Sequence, residues 1–379
     1  MSDAFIPYGT QSVDDEDVAA ISAAVLDEFL TTGPAVDNFE RRLSDVVGGA
    51  SVAAVSSGTA ALHCAYRALQ LGPGDEVITT PFTFAATATA ALVCGARVTF
   101  ADVDEDTLNV NPEAVEDGIS TKTRVITAVD YSGHPADIAS LSKIAERSDT
   151  TLVEDAAHSL GATVDGHQVG SLAAVTTFSF HPVKIITTAE GGAVAAMETS
   201  IVDAVKTLRN HGLVHDPSKY SIADQGAWHQ EIQTLGFNYR LPDLLAALGS
   251  AQLTRLPAFL ARRREIAGRY LRELDPVEGL RLPTVRAGVE PAWHLFVVRI
   301  LEGRRREVFD RLRAERIGVQ VHYLPVHMQP LFKEIGYEKG SCPVAERAYE
   351  EVLSLPIYPR MSASDQERVI DALRTALAG

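Results

Sequence analysis

The chain has 379 residues, more than one hydrophobic core usually holds, so two lobes are expected. Its 46% hydrophobic and 22% charged residues are ordinary for a soluble globular protein. A net charge of -16 argues against a nucleic-acid or anionic-membrane binder, although a local basic pocket for an anion is still compatible with it.

The first residues, MSDAFIPYGTQSVDDEDV, have no basic start and no apolar stretch, so no signal peptide is expected. Cys64, Cys94 and Cys342 form no CxxC pair and read as reduced thiols of a cytoplasmic protein. Strand-like runs then alternate with helix-like ones. SVAAVSS (Ser51–Ser57) precedes a helical GTAALHCAYRALQ, and DEVITT precedes a helix within Phe82–Val93. The uncharged run Ile78–Ala96 is long enough for a membrane helix, but Pro81, Gly95 and its threonines make it a buried loop followed by a helix. ARVTFADV (Ala96–Val103) leads to NPEAVEDGI, with Pro112 at a first helical position. TRVITAVDY, TLVEDAA, AAVTTFSF and GGAVAAM continue the series. Such short apolar runs between helices predict βαβ units and a mostly parallel sheet buried on both faces. After about Leu241 the texture changes to a long helix broken near Pro257. Strands over AWHLFVVRI (Ala292–Ile300) and GVQVHYL (Gly318–Leu324) follow, with helices around them. The expected division is a large domain over 1–250 and a smaller α+β domain over 251–379.

Ligands of open α/β sheets bind at the carboxyl ends of the strands, and three polar features fall there. Ser56, Ser57, Gly58 and Thr59 lie between a strand and a helix, either as a plain N-cap or as an anion cradle. Asp155 ends an apolar strand and His158 follows it, so Asp155 is either an N-cap or a partly desolvated carboxylate that needs a cationic partner. Lys184, in SFHPVKIITTAEGG, is a lysine with apolar flanks, whose amine desolvation would make nucleophilic. No metal-ligand spacing is present. A nucleophilic lysine, a strand-end aspartate and an anion cradle together are what pyridoxal phosphate requires.

The motifs SSGTAAL, DEVITTPFTFAATA, EDAAHSLGA, SFHPVKIITTAEGGA and GFNYRLPDLLAALG carry a resemblance. Nearly end to end, the chain resembles the sugar-nucleotide aminotransferases, a branch of the aspartate-aminotransferase-like (fold type I) pyridoxal-phosphate enzymes. It looks most like the pseudaminic acid pathway 4-aminotransferase, which acts on a UDP-4-keto-6-deoxy-N-acetylhexosamine. It is also similar to the transaminase that makes UDP-4-amino-4-deoxy-arabinose. The resemblance implies a Schiff-base role and proton shuttling for Lys184, a bond from Asp155 to the pyridine nitrogen, and stacking by Phe84. It implies phosphate contacts from Gly58, Thr59 and Ser179, a place beside the ring for His158, and a reach by Asn238 into the neighbouring subunit of a homodimer. Glutamate is the implied donor, and amination at C3 or a sensor without activity are the rival readings. Arg240, His322 and Tyr323 are candidates for substrate contact. Lys206, Arg209 and the run Arg262–Arg264 are further candidate cations for a nucleotide diphosphate, the run reading more simply as a solvated helix face. Relatives often have Gly where Ala189 stands.

Overall fold

The computed structural model describes residues 4–222 and 225–378. After the helices α1 (Asp15–Val25) and α2 (Pro34–Val46), strands and helices alternate: β1 (Ser51–Val55), α3 (Gly58–Ala68), β2 (Glu76–Thr79), α4 (Ala86–Val93) and β3 (Arg97–Phe100). Then come α5 (Pro112–Gly118), β4 (Thr123–Val129), α6 (Ile138–Ser148), β5 (Thr151–Asp155), β6 (Val175–Ser179), β7 (Gly192–Ala196), α7 (Thr199–Leu208) and α8 (Asp243–Glu273). The seven strands form one sheet in the order β1-β7-β6-β5-β4-β2-β3. Only β7 runs against the others, pairing antiparallel with both β1 and β6. The central strands are buried except for the half-buried Thr151 and Ser179 at their ends, because helices cover both faces of the sheet.

The C-terminal part has its own core around an antiparallel sheet of Leu280–Arg281, Phe296–Ile300 and Val352–Leu355. Helices Arg305–Ala314 and Ala363–Ala378 pack beside it.

Two sequence expectations are corrected. The long helix is not broken at Pro257: α8 is continuous over 31 residues, and Pro257 is exposed inside it. A proline removes one backbone bond, and here packing on α1 and α2 holds the helix across the gap. The expected division between 250 and 251 falls inside this helix. Its apolar content is enough for a membrane span, but half of its most apolar stretch is buried inside the fold. Gly318–Leu324 is not a strand. It is flanked by an isolated bridge at Ile317 and makes one at Gln320, then runs on without strand pairing, so that His322 and Tyr323 reach the cavity from the small lobe.

Candidate active site

A cavity of about 360 Å³ opens at the carboxyl ends of β1, β4, β5 and β6. Its lining includes Gly58, Thr59, Phe84, Asp155, His158, Ser179, Lys184, His322 and Tyr323, nine residues that the sequence singled out from distant segments. A second hollow of about 340 Å³, between α2 and α7, is open to solvent and contains none of these nine.

The loop that carries Lys184 is closed on itself. Phe180 N–H donates to Gly191 O (2.9 Å), and Thr188 N–H donates back to Phe180 O (3.0 Å). The threonines after the lysine serve this closure: Thr187 Oγ1 donates to Phe180 O and accepts from Ala189 N–H, and Thr188 Oγ1 donates to Glu190 O. Ala189 sits at φ 62°, the left-handed region that glycine adopts most easily. The Lys184 side chain keeps partial access to the cavity. The protein crowded around its ammonium pushes its pKa down to about 8, against the opposing pull of Asp155.

Asp155 ends β5 and is 6% exposed. Its Oδ2 accepts from Thr87 Oγ1 (2.7 Å) and its Oδ1 from Ala157 N–H (3.2 Å). Burial raises its pKa, and the Thr87 bond, the Ala157 bond and then Lys184 oppose the rise. Thr87 also meets Thr83 Oγ1 (3.0 Å), and its carbonyl accepts from Tyr66 OH (3.1 Å), so the first turn of α4 is fixed behind the carboxylate.

At the other end of the cavity, the Ser57 hydroxyl caps Ala60 N–H and intrahelical bonding begins at Ala61, whose N–H reaches Ser57 O. The amides of Gly58 and Thr59 are left for a ligand. A Cβ on Gly58 would lie 2.8 Å from Ser179 Cβ, so glycine is what lets the helix end and β6 approach. Ser56 is not in this lining; its N–H bonds Tyr239 O.

The remaining wall is aromatic and polar. His158 Nε2 meets Tyr323 OH (3.4 Å), Tyr323 packs edge-on to Phe84, and His322 Nδ1 bonds Ser354 Oγ (2.8 Å). Burial, then Lys184, lowers the His322 pKa to about 4. The same two causes, followed by His322, hold His158 well below its ordinary value. Phe84 is 63% exposed at the rim.

Asn238 and Arg240 lie outside the lining. Asn238 bridges Asn210, and Arg240 Nη1 donates to Asn210 Oδ1 (2.7 Å) while its Nε is buried without a partner. The other predicted cations are engaged elsewhere. Lys206 and Arg209 both pair with Glu40, Arg262 with Glu265 (2.6 Å) and Arg264 with Glu290 (3.2 Å). Arg263 is buried, so the run is not simply a solvated face. Among the described lining residues Lys184 is the only lysine or arginine. Sequence reasoning missed Tyr8, Thr83, Thr87, Thr177, His181, Glu190 and His294, all of which line the cavity. A Thr-x-x-x-Thr spacing at a helix start was the available signal for Thr83 and Thr87; His294 sits in an apolar run and looks like core.

Residues 11–374 match the model of the DegT/DnrJ/EryC1/StrS aminotransferase family. The chain is 36% identical to the spore coat polysaccharide biosynthesis protein SpsC of Bacillus subtilis, over 99% of this chain and 98% of that protein. The putative sugar aminotransferase Spr1654 of Streptococcus pneumoniae, in its PLP form, superposes with a TM-score of 0.93 at 27% identity, covering 99% of both chains. Helicobacter pylori PseC, an aminotransferase of pseudoaminic acid biosynthesis, superposes at 0.92 with 27% identity, covering 99% of this chain and 100% of that one. With a family match that spans almost its whole length, this chain is an enzyme and belongs to the DegT/DnrJ/EryC1/StrS aminotransferase family.

Proposed function

We propose that the protein transfers an amino group from glutamate to a nucleotide-linked keto sugar with pyridoxal phosphate as cofactor, acting at C4 of a UDP-4-keto-6-deoxy-N-acetylhexosamine. The observation that carries this reading is one cavity holding Lys184, Asp155 and the Gly58–Thr59 helix end together. The likeness to PseC, an aminotransferase of pseudoaminic acid biosynthesis, supports a sugar substrate, and the choice of sugar and carbon rests on the motif resemblance.

The residues fit the cofactor. The free amides of Gly58 and Thr59 at the helix start suit its phosphate, with Ser179 packed against Gly58 beside them. Thr177 Oγ1 is buried without a partner in the same lining. When bound, the cofactor supplies a carbonyl for amines and a ring that withdraws electrons from the reacting carbon. Asp155 then offers its carboxylate to the ring nitrogen, with both oxygens already oriented by Thr87 and Ala157. Burial pushes the Lys184 pKa down to about 8, so its amine loses its proton more readily than an exposed lysine, can attack a carbonyl and can afterwards carry a proton. Phe84 covers the cavity mouth and His158 borders it. Asn238 and Arg240 lie outside the cavity of their own chain, and we assign them to the site of a partner in a homodimer. Under a division at 250, the second domain supplies His294, His322 and Tyr323 to a site otherwise built by the first.

The test is a visible absorption spectrum of the protein with pyridoxal phosphate, before and after glutamate. A band that glutamate bleaches, and that Lys184→Ala lacks, is expected. A normal band in Lys184→Ala would overturn the assignment of that residue. NMR of the sugar product then locates the new C–N bond.

A further inference from the structure

A guanidinium lies buried on α8 behind the cavity. Arg263 is 1% exposed. Its Nη1 donates to the carbonyls of Trp293 (3.0 Å), His294 (3.3 Å) and Ile357 (3.2 Å), and its Nε has no partner. Its neighbours Arg262 and Arg264 each have a glutamate, but among the described residues Arg263 forms no ion pair. A buried cation without a carboxylate costs on the order of several kcal/mol, so something else in the fold has kept it there.

The backbone that it grips is strained. Trp293 has φ 52°, a conformation that costs a residue with a Cβ about 1–2 kcal/mol. Against it lie Ser132 (φ 59°) and Gly133 (φ 98°), joined by bonds from Ala292 N–H to Gly133 O (2.9 Å) and from Leu295 N–H to Ser132 O (3.1 Å). A Cβ on Gly133 would come within 2.9 Å of both His158 O and His294 N. Strain of this kind gathers at functional sites. Here it converges on one contact, the rings of His158 and His294, whose centroids are 4.3 Å apart. Both residues line the cavity, each is 5% exposed, and each leaves Nδ1 without a partner.

We propose that Arg263 is a positioning residue of the active site: by holding the Trp293 and His294 carbonyls it sets the His294 ring against His158 and keeps this wall of the cavity uncharged. Such a wall exchanges hydrogen bonds with hydroxyl and carbonyl oxygens and offers no ionic contact to a carboxylate or phosphate. The charged and titratable groups around the pair support this. His294 is held down first by burial, then by His158, Lys184 and Arg263, with His322 adding to them. Tyr323 touches His158 from the small-lobe side. Asp155 and Glu190 line the same cavity; among the described residues the Asp155 carboxylate bonds Thr87 and Ala157, and neither acid bonds either ring.

The test is histidine-side-chain NMR of the full-length protein with its cofactor, labelled with 15N-histidine, with His158→Gln and His294→Gln used for assignment. Both wild-type rings should keep the shifts of neutral imidazole from about pH 8 to pH 5.5. Arg263→Met should shift the His294 ring signals, as the ring loses its set position against His158, and Arg263→Lys should restore the wild-type signals. A wild-type His158 or His294 that titrates near pH 6.5 overturns the proposal without any variant. So does a folded Arg263→Met protein with both rings unmoved, which is how a purely structural arginine behaves. The readout is the protonation of the wall itself, so the absorption test of Lys184 fails or passes separately from it.

Discussion

Between Phe180 and Gly191 the chain leaves the sheet, and Lys184 sits where its amine is surrounded by protein on every side but the cavity. Its folded pKa of about 8 lies below the unfolded value of about 10.4. Between those two values the unfolded chain binds a proton that the folded chain has released, so folding is favoured as pH rises through this window. Below about pH 8 the burial penalty is fully present. The stability of the cofactor-free wild type relative to Lys184→Met should therefore grow from pH 7.5 to pH 10, by on the order of 2 kcal/mol. Urea unfolding at several pH values measures it; a flat difference would mean that the ammonium is solvated. Under the proposed function, burying this lysine lowers stability in exchange for a more readily neutral amine.

At the scale of elements, Asp243 is an instructive case. It opens α8, but its carboxylate caps a different helix: Oδ2 accepts from Gly33 N–H and Oδ1 from Ala35 N–H, both at 2.9 Å. Gly33 has no side chain with which to cap α2, so a residue some two hundred positions away does it. Asp243→Ala should cost about 1–3 kcal/mol, read as a lower urea midpoint. Pro257→Ala should act in the opposite direction. The ring is exposed, and alanine restores a backbone bond inside α8, so a gain of about 1–3 kcal/mol is expected in the same assay. These elements also show what the sequence could and could not reveal. The buried strands were legible because each is a short apolar run between helices. Gly318–Leu324 has the same texture but is a loop, since the need to place His322 and Tyr323 in the cavity outweighed the local pattern. Arg263 was hidden in a run of three arginines, because nothing in the run itself says which one turns inward. Lys184, Asp155 and the Ser57–Thr59 turn, which the structure brings into one cavity, were legible because they stand at or just beyond strand ends, where polar residues are conspicuous.

At the scale of the molecule, the two halves are fastened by Glu105, which follows β3. It pairs with Arg281 (3.3 Å), Arg299 (2.7 Å) and Arg347 (2.9 Å), all from the C-terminal half. Glu105→Gln should lower stability by about 1 kcal/mol, because its partly exposed carboxylate meets three guanidiniums, of which Arg281 and Arg299 keep a second partner in Asp106 and Glu351. Salt should narrow the difference between variant and wild type in urea unfolding. The unbroken α8 adds a mechanical consequence. At 31 residues it is a rod about 46 Å long. Toward its start, Gln252 braces the lysine loop at Thr187 N–H (3.4 Å). Toward its end, Tyr270 and Arg269 hold the small lobe through the carbonyls of Pro356 and Ala363. This stiff axle is shared by both lobes, so any swing of one lobe against the other has to bend α8, and the spacing between Lys184 and the wall of His322 and Tyr323 is tied to that bending.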